Sequence, residues 1–315
     1  MTAIKVPVWV RRLLSFVIIV FGVSVLLFLT SRVIPSDPVR LLVGDSASQD
    51  VKNAIRDKLG LNDPLPEQYW RYIDGILHGD FGESLRFHMP VRDLLLDALP
   101  ATIELVLAAA LVTIVMAFVL GLLSAIYQFS WIDTLCRTLA MGATATPPFF
   151  IAIVGILLLG FYLGLVPISG RGNPPDLAHL ILPALVLGMR HAGSTALLVR
   201  STMIDVLRTD YTRSARARGL TERTVVGKYA FRNTLIPSVT DLGVNLADII
   251  GSVVLIETIF AWPGIGRLVY LGITWNDFAL LSGAVLTLLV YAVGVNFIVD
   301  ALYGVIDPRV RVAAG

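Results

Sequence analysis

Residues 105–132 read LVLAAALVTIVMAFVLGLLSAIYQFSWI and contain no charged side chain. A helix needs about 20 mostly apolar residues to cross a hydrocarbon core of about 30 Å, and this stretch is long enough. The whole chain has the same character, because 56% of its residues are hydrophobic and 15% are charged. Soluble domains carry about 25% charged residues. The sequence therefore predicts an all-α, polytopic membrane protein.

Five other stretches predict further membrane helices. Three are uncharged, and two carry charges that should face protein or a cavity rather than lipid. Proline should start or kink one of them, at Pro147 and Pro148, because it lacks the N–H donor of a helix interior. With the first stretch they make about six spans: residues 13–31, 138–170 and 278–299 (uncharged), then 177–200 and 235–257.

The distribution of charge predicts the orientation. Residues 200–232 hold eight basic and three acidic side chains (8 − 3 = +5), whereas residues 33–104 hold seven basic and twelve acidic ones (7 − 12 = −5). Lysine and arginine accumulate on the cytoplasmic side. We therefore expect residues 200–232 and both termini in the cytoplasm, and residues 33–104 outside.

The outer segment is predicted to be folded. Ser48 is placed as an N-cap, and Val51, Ile55 and Leu59 follow at helical spacing. PEQYWRYIDGILHGDFG then predicts a second short helix that ends at glycines. The predicted division of the chain is an N-terminal membrane helix, an extracytoplasmic helical segment, a core of membrane helices and a cytoplasmic tail: 1–34, 35–98, 99–304 and 305–315.

The cytoplasmic loop contains the basic stretch RSARARGLTERTVVGKYAFRNTLIP, residues 213–237. Its first part predicts a helix ending at Gly219, a favourable C-terminal residue. Thr221 should cap a second helix. A basic loop could serve topology alone. A short, capped pair of helices at the membrane surface also suits a protein that transmits force to another.

The sequence resembles the dipeptide/oligopeptide/nickel branch of ABC-importer permeases, of the first-permease type. The basic stretch resembles their EAA coupling loop through Ala215, Gly219 and Pro237, with Arg213 and Ser214 as departures and a longer gap before the proline. The resemblance covers essentially the whole chain. Further motifs agree in this order: LGLNDPLPEQYWRYIDGILHGDFGESL with PVRDLL, LPATIEL, IETIFAWPGIGRL and DPRVR.

The resemblance implies a type I importer permease in a prokaryotic inner membrane. Such a permease pairs with a second permease, two ATP-binding subunits and an extracytoplasmic solute-binding protein. ATP and Mg²⁺ would lie on the ATP-binding subunits, and this chain would bind no cofactor. The solute would be a small peptide, with nickel, glutathione or another small solute as alternatives. The implied ATPase-coupling residues are Arg213, Ser214, Ala215, Arg216, Ala217, Arg218, Gly219, Leu220 and Pro237.

Sequence motifs give no sign of chemistry within this chain. There is no G-x-x-x-x-G-K-[ST] phosphate loop, no H-E-x-x-H pair and no G-x-S-x-G elbow. One cysteine excludes a multi-cysteine metal site, and a net charge of +2 gives no reason to expect nucleic acid. We therefore expect neither an enzyme nor a metal site. A secondary transporter that runs without ATP is the alternative from another class.

Polar residues inside two predicted spans are candidates for a solute path. Asp241, Asn245, Asp248 and Ser252 share one helical face, and Arg190 lies in the preceding span. Counted from the span ends near 179 and 237, Arg190 and Asp248 are equally deep (190 − 179 = 248 − 237 = 11), which suggests that they neutralise each other. These polar groups could instead only join helices.

Overall fold

The computed structural model describes residues 8–33, 48–58 and 60–306, which are mostly helical. Ser48 starts the second helix as predicted, because the Val51 amide donates to Ser48 Oγ at 3.4 Å. Leu59 and the cytoplasmic tail from residue 307 lie outside the described residues. The first four helices are α1 (Val8–Val33), α2 (Gln49–Lys58), α3 (Leu65–Leu77) and α4 (Val91–Ile126).

The prolines at 147–148 break the third predicted span. α5 (Trp131–Ala145) is followed by α6 (Pro148–Gly155), which continues as a π-helix, π1 (Ile156–Tyr162). The axes on either side of the break differ by 108°. This confirms the predicted kink, since proline restricts the residue before it and cannot continue the helical hydrogen bonding.

The second half of the chain is also helical. It consists of α7 (Leu177–Leu207), α8 (Asp210–Ala217), α9 (Glu222–Thr224), the π-helix π2 (Val225–Ala230), α10 (Phe231–Ile259), α11 (Ile265–Thr274) and α12 (Phe278–Ile306). Asp176 caps α7 by accepting a hydrogen bond from the His179 amide at 2.9 Å. α10 runs through Pro237 and bends by 44° between its parts Pro237–Asn245 and Asp248–Ile259.

Three of the described helices, α4, α7 and α12, are long and apolar enough to cross a membrane. The two bent pairs raise the number to five if each is one span, and α1 contributes a shorter apolar stretch, Leu14–Thr30. The all-α membrane class is confirmed. Six spans with both termini in the cytoplasm remains a prediction.

The chain forms two compact units: Met1–Ala101 with Gly264–Val293, and Thr102–Pro263 with Gly294–Gly315. In the first unit, Tyr69 of α3 packs against Phe21 and Phe28 of α1, with ring centroids 6.1 and 5.3 Å away. Its hydroxyl lies 2.8 Å from Ser24 Oγ. The outer segment is therefore anchored to α1 by aromatic packing and one hydrogen bond.

α7 is the central helix of the second unit. In the apolar stretch of α7 that is long enough to span a membrane, 61% of the residues are buried, compared with 33% for α4 and 22% for α12. Gly193 allows α5 to approach closely, because a Cβ there would collide with the Ala140 carbonyl oxygen. Thr113 Oγ1 of α4 donates to the Gly188 carbonyl at 3.0 Å on another side of α7. α7 is thus more covered by protein than α4 or α12.

The loop before α7 is tied down by Arg171. Its Nε donates to Glu104 of α4 at 2.8 Å, and its guanidinium lies 5.9 Å from the centroid of the Trp262 ring. The Gly170 amide also donates to the Phe260 carbonyl at 2.8 Å. The loop between π1 and α7 is therefore fixed to Glu104 within α4 and to the residues that follow α10.

Candidate functional site

The basic segment, residues 208–230, leaves α7 through a turn held by two threonine hydroxyls. Thr209 Oγ1 donates to the Val206 carbonyl at 2.6 Å. Thr212 is fully buried, and its Oγ1 donates to the carbonyls of Thr209 and Leu207 at 2.7 and 3.0 Å. The last carbonyls of a helix lack partners within it. These hydroxyls therefore close the end of α7 and set the direction of α8.

Arg216 of α8 joins the end of α7 to α9. Its Nη1 donates to the Leu207 carbonyl at 3.1 Å, and its Nε and Nη2 donate to the two carboxylate oxygens of Glu222 at 2.7 and 3.3 Å. These hydrogen bonds lower the pKa of the Glu222 carboxyl. Among the predicted coupling residues, Arg216 is thus engaged inside the segment.

The remaining predicted coupling residues between 213 and 220 divide by exposure. Ala215 is fully buried and Leu220 is half-buried. Arg213 has a side chain 79% exposed, with only a 3.8 Å ion pair to Asp210, which is itself almost fully exposed. One surface therefore presents Arg213, Ser214, Ala217, Arg218 and Gly219 to solvent.

Gly219 ends α8 in the left-handed conformation that its position predicts. Its φ is +80°, and its amide donates to the Arg216 carbonyl at 2.9 Å. Residues other than glycine and, to a lesser degree, asparagine rarely adopt this backbone conformation. The reversal of the chain at the end of α8 therefore depends on glycine.

The chain then returns toward the membrane helices through α9 and π2, which together form the return arm, residues 222–230. The return arm begins after Thr221, as predicted. The Thr221 hydroxyl lies 3.1 Å from Thr224 Oγ1 and does not cap the backbone. The arm packs on the ends of α4 and α7 through buried Ala125, Met203 and Ala230. It continues without interruption into α10. Pro237 consequently lies inside a helix and not at the end of an exposed loop.

A polar cavity of about 400 Å³ lies between α5, α7 and α10 in the second unit. It contains four of the five predicted path residues. Its lining residues are Thr144, Arg190, His191, Ser194, Asn245, Asp248, Gly251 and Ser252.

The fifth path residue, Asp241, is held in a hydrogen-bond network beside this cavity. Asp241 Oδ2 accepts from Thr195 Oγ1 at 2.6 Å and from Asn245 Nδ2 at 2.9 Å. The same Asn245 amide lies 2.9 Å from Thr195 Oγ1. This network joins α7 to α10 through Asp241 and Asn245, and Asn245 also lines the cavity. The path role of both residues stays a prediction.

Arg190 and Asp248 behave differently. Both are exposed and both line the cavity, yet neither makes a hydrogen bond or an ion pair within 4.0 Å with any residue that the structure describes. Equal depth along straight helices suggested a pair. The bend of α10 falls between Asn245 and Asp248, so depth counted along a straight helix does not carry past it.

Comparisons with known proteins identify the family. Residues 117–312 match the model of binding-protein-dependent transport system inner membrane components, and residues 6–106 match the N-terminal model of such membrane components. The chain belongs to this family. It is a permease, the non-enzymatic membrane subunit of an ABC transporter whose ATP hydrolysis takes place on separate subunits.

Curated permeases resemble this permease over nearly their full length. It is 39% identical to the probable D,D-dipeptide transport system permease protein DdpB of Escherichia coli K12, covering 97% of both chains. It is 33% identical to the dipeptide transport system permease protein DppB of Alkalihalophilus pseudofirmus and 34% identical to the glutathione transport system permease protein GsiC of Escherichia coli K12. Each comparison covers 96% of this chain and 98% of the relative.

Solved structures support the fold of the permease. A chain of the MetNI methionine ABC transporter in an inward-facing conformation superposes with a TM-score of 0.56 at 17% identity, covering 68% of this chain and 96% of that chain. A chain of an amino acid ABC transporter gives 0.52 at 12% identity, covering 67% and 93%. The type I importer permease fold is therefore shown.

The permease also contains an ion pair that sequence reasoning missed. Arg200 of α7 donates from Nε and Nη2 to the two carboxylate oxygens of Asp133, each at 2.9 Å. Asp133 is buried and accepts further hydrogen bonds from Ser124 Oγ at 2.6 Å and the Phe129 amide at 3.1 Å. The turn between α4 and α5 is thereby locked to the part of α7 that precedes the basic segment.

Proposed function

We propose that this permease carries small peptides inward across the cytoplasmic membrane in an ATP-driven importer. The observation that supports this most directly is the near full-length similarity to permeases named for dipeptide, D,D-dipeptide and glutathione transport. Dipeptides and glutathione are short peptides with an amino and a carboxylate group. The proposed solute class is therefore a short peptide, and nickel is the less favoured alternative.

The basic segment is the proposed contact for the ATP-binding subunits. Its exposed surface, with Arg213, Ser214 and Arg218, is free to meet another protein. Arg216 and the threonine turn fix that surface to the end of α7, which also borders the polar cavity. Movement of a docked subunit would therefore reach the cavity through one continuous helix.

The partners proposed are a second permease, two ATP-binding subunits and a solute-binding protein outside. α3 offers an exposed apolar surface for the binding protein, since Trp70 and Leu77 are 72% and 77% exposed and lie two helical turns apart. Tyr69 on the same helix holds it against α1. The neighbouring helix α2 belongs to the same outer segment. Deleting residues 48–60, which contain α2, should impair uptake while leaving membrane insertion intact, and normal uptake would make residues 48–60 a spacer.

Reconstitution tests the proposal. The permease, its second permease, the ATP-binding subunits and the binding protein are placed in proteoliposomes, and uptake of radiolabelled dialanine, D-alanyl-D-alanine and glutathione is measured. Uptake of at least one probe should require ATP and the binding protein. Uptake by this chain alone under an ion gradient would instead support a secondary transporter, and uptake of Ni²⁺ but of no peptide would change the solute class.

A further inference from the structure

We propose that Arg190 and Asp248 receive the two charged ends of a zwitterionic solute in the polar cavity, Arg190 binding its carboxylate and Asp248 its ammonium group. This deepens the proposed function and rests on it. The cavity volume of about 400 Å³ lies within the range of about 300–1,000 Å³ seen for small-molecule sites.

The two charges are not needed to hold the helices together. The ionic and polar groups around them are satisfied elsewhere: Asp241 by Thr195 and Asn245, and the Ser194 hydroxyl by the His191 carbonyl at 3.0 Å. Arg190 and Asp248 have no such partner among the described residues. Charges inside a membrane span are costly unless a partner or water compensates them. The compensating groups must therefore come from outside this chain, and a zwitterionic solute supplies both of them.

Their opposite signs select the chemistry of the solute. A guanidinium binds a carboxylate through parallel, charge-assisted hydrogen bonds, and a carboxylate accepts from an ammonium group in the same way. A solute with both a carboxylate and an ammonium group compensates the charges of Arg190 and Asp248. A divalent cation would be repelled by Arg190, and an anion without an amino group would leave Asp248 uncompensated.

The rest of the wall gives little further discrimination. Besides His191, its polar groups are small hydroxyls and one amide, and the Thr144 hydroxyl already donates to the Ala140 carbonyl at 2.9 Å. Two charged ends with a mostly uncommitted space between them suit solutes that share their termini and differ in their side chains. The cavity would therefore read termini rather than residue identity.

The test pairs each charge with the solute group that it should contact. Uptake of dialanine, its C-terminal amide and its N-acetyl derivative is measured in the reconstituted complex for the wild type, Arg190→Gln and Asp248→Asn. A hydrogen bond to a charged group contributes about 1.5–3 kcal/mol, or about a tenfold change or more. Arg190→Gln should lower dialanine uptake by that factor and the uptake of the amide by less than twofold. Asp248→Asn should show the same contrast with the N-acetyl derivative.

Arg200→Gln is the matched control, because Arg200 lies on the same helix and is paired with Asp133. It should lower uptake of all three probes by the same factor. Equal proportional losses for the probes in Arg190→Gln and Asp248→Asn would overturn the proposal. Recovery of uptake in the Arg190→Gln/Asp248→Asn double variant would also overturn it, by showing that the two charges neutralise each other.

A second measurement separates this inference from the proposed function. Binding of dialanine to the complex in nanodiscs is followed by saturation-transfer NMR without the binding protein. Binding that is lost in Arg190→Gln supports the cavity as a zwitterion site even if no probe is taken up, in which case only the transport proposal fails. Binding that is unchanged in both single variants refutes the site even if dialanine is transported.

Discussion

Two arginines on α7 have opposite roles, although they are ten positions and about 15 Å apart along one helix. Arg200 is held by both oxygens of a buried carboxylate, in a network that two other donors complete. Arg190 is exposed to a polar cavity and has no partner among the described side chains. A paired charge fixes the position of α7 against α4 and α5, whereas an unpaired charge on the same helix is available to a solute.

Removing the paired charge should have the largest effect. Asp133→Asn leaves Arg200 without its counter-charge. It also disturbs the hydrogen-bond network around Asp133, which is buried. Breaking a buried ion pair by removing one partner costs about 3–5 kcal/mol. We expect the free energy of unfolding to fall by about this amount, measured by denaturant titration of the complex in detergent. Arg190→Gln is the comparison, and a destabilisation equal to that of Asp133→Asn would erase the distinction between the two arginines.

The conformation of Gly219 should have an intermediate effect. A residue with a Cβ pays about 1–2 kcal/mol in the left-handed region, and a Cβ at this position would have no heavy atom of the described structure within 4 Å outside its own neighbours. Gly219→Leu should therefore distort the end of α8 and separate ATP hydrolysis from uptake, measured as transported probe per ATP consumed. Gly219→Asn is the matched control, because asparagine tolerates this conformation better. Normal coupling in Gly219→Leu would count against the docking role.

The exposed contact between Arg216 and Glu222 should have the smallest effect. Hydrogen bonding lowers the folded-state pKa of Glu222, so its stabilising contribution is present above the ordinary carboxyl pKa and is lost as pH falls through the lowered value. The side chains are 39% and 65% exposed, and such pairs contribute up to about 1 kcal/mol. Hydrogen exchange at the Gly219 and Leu220 amides should accelerate at acid pH beyond its intrinsic pH dependence. In Glu222→Gln, hydrogen exchange at these two amides should already be faster at neutral pH and should lack the added pH dependence.

Features set by local chemistry could be predicted from the sequence. The apolar stretches located the long helices, the paired prolines marked the 108° break, and Gly219 marked the left-handed end of α8. Of the five predicted path residues, Arg190, Asn245, Asp248 and Ser252 line one cavity, and their role in a solute path stays a prediction. Each of these follows from a residue's own backbone preference or from helical periodicity.

Features set by contacts between distant parts of the chain could not be predicted from the sequence. Asp133 and Arg200 are 67 positions apart, and no local pattern relates them. α4 begins at Val91 and not near residue 105, because a search for uncharged residues stops at Glu104 while the helical backbone continues. Whether a polar residue in α10 joins helices, as Asp241 does, or faces a cavity, as Asp248 does, depends on the neighbouring helix and on a bend that the sequence does not mark.

The Asp133–Arg200 pair also bears on how the chain enters the bilayer during synthesis. Both Arg190 and Arg200 oppose the insertion of α7 alone. The cost is about 2.5–3.5 kcal/mol for a charge at a helix centre, and it is smaller for Arg200, which lies at the cytoplasmic end of the predicted span 177–200. Asp133 precedes Arg200 in the chain, so α5 has left the ribosome before α7 follows. We therefore expect α7 to move into lipid beside α5, with its counter-charge already supplied, and a truncated chain that lacks α5 to insert α7 poorly.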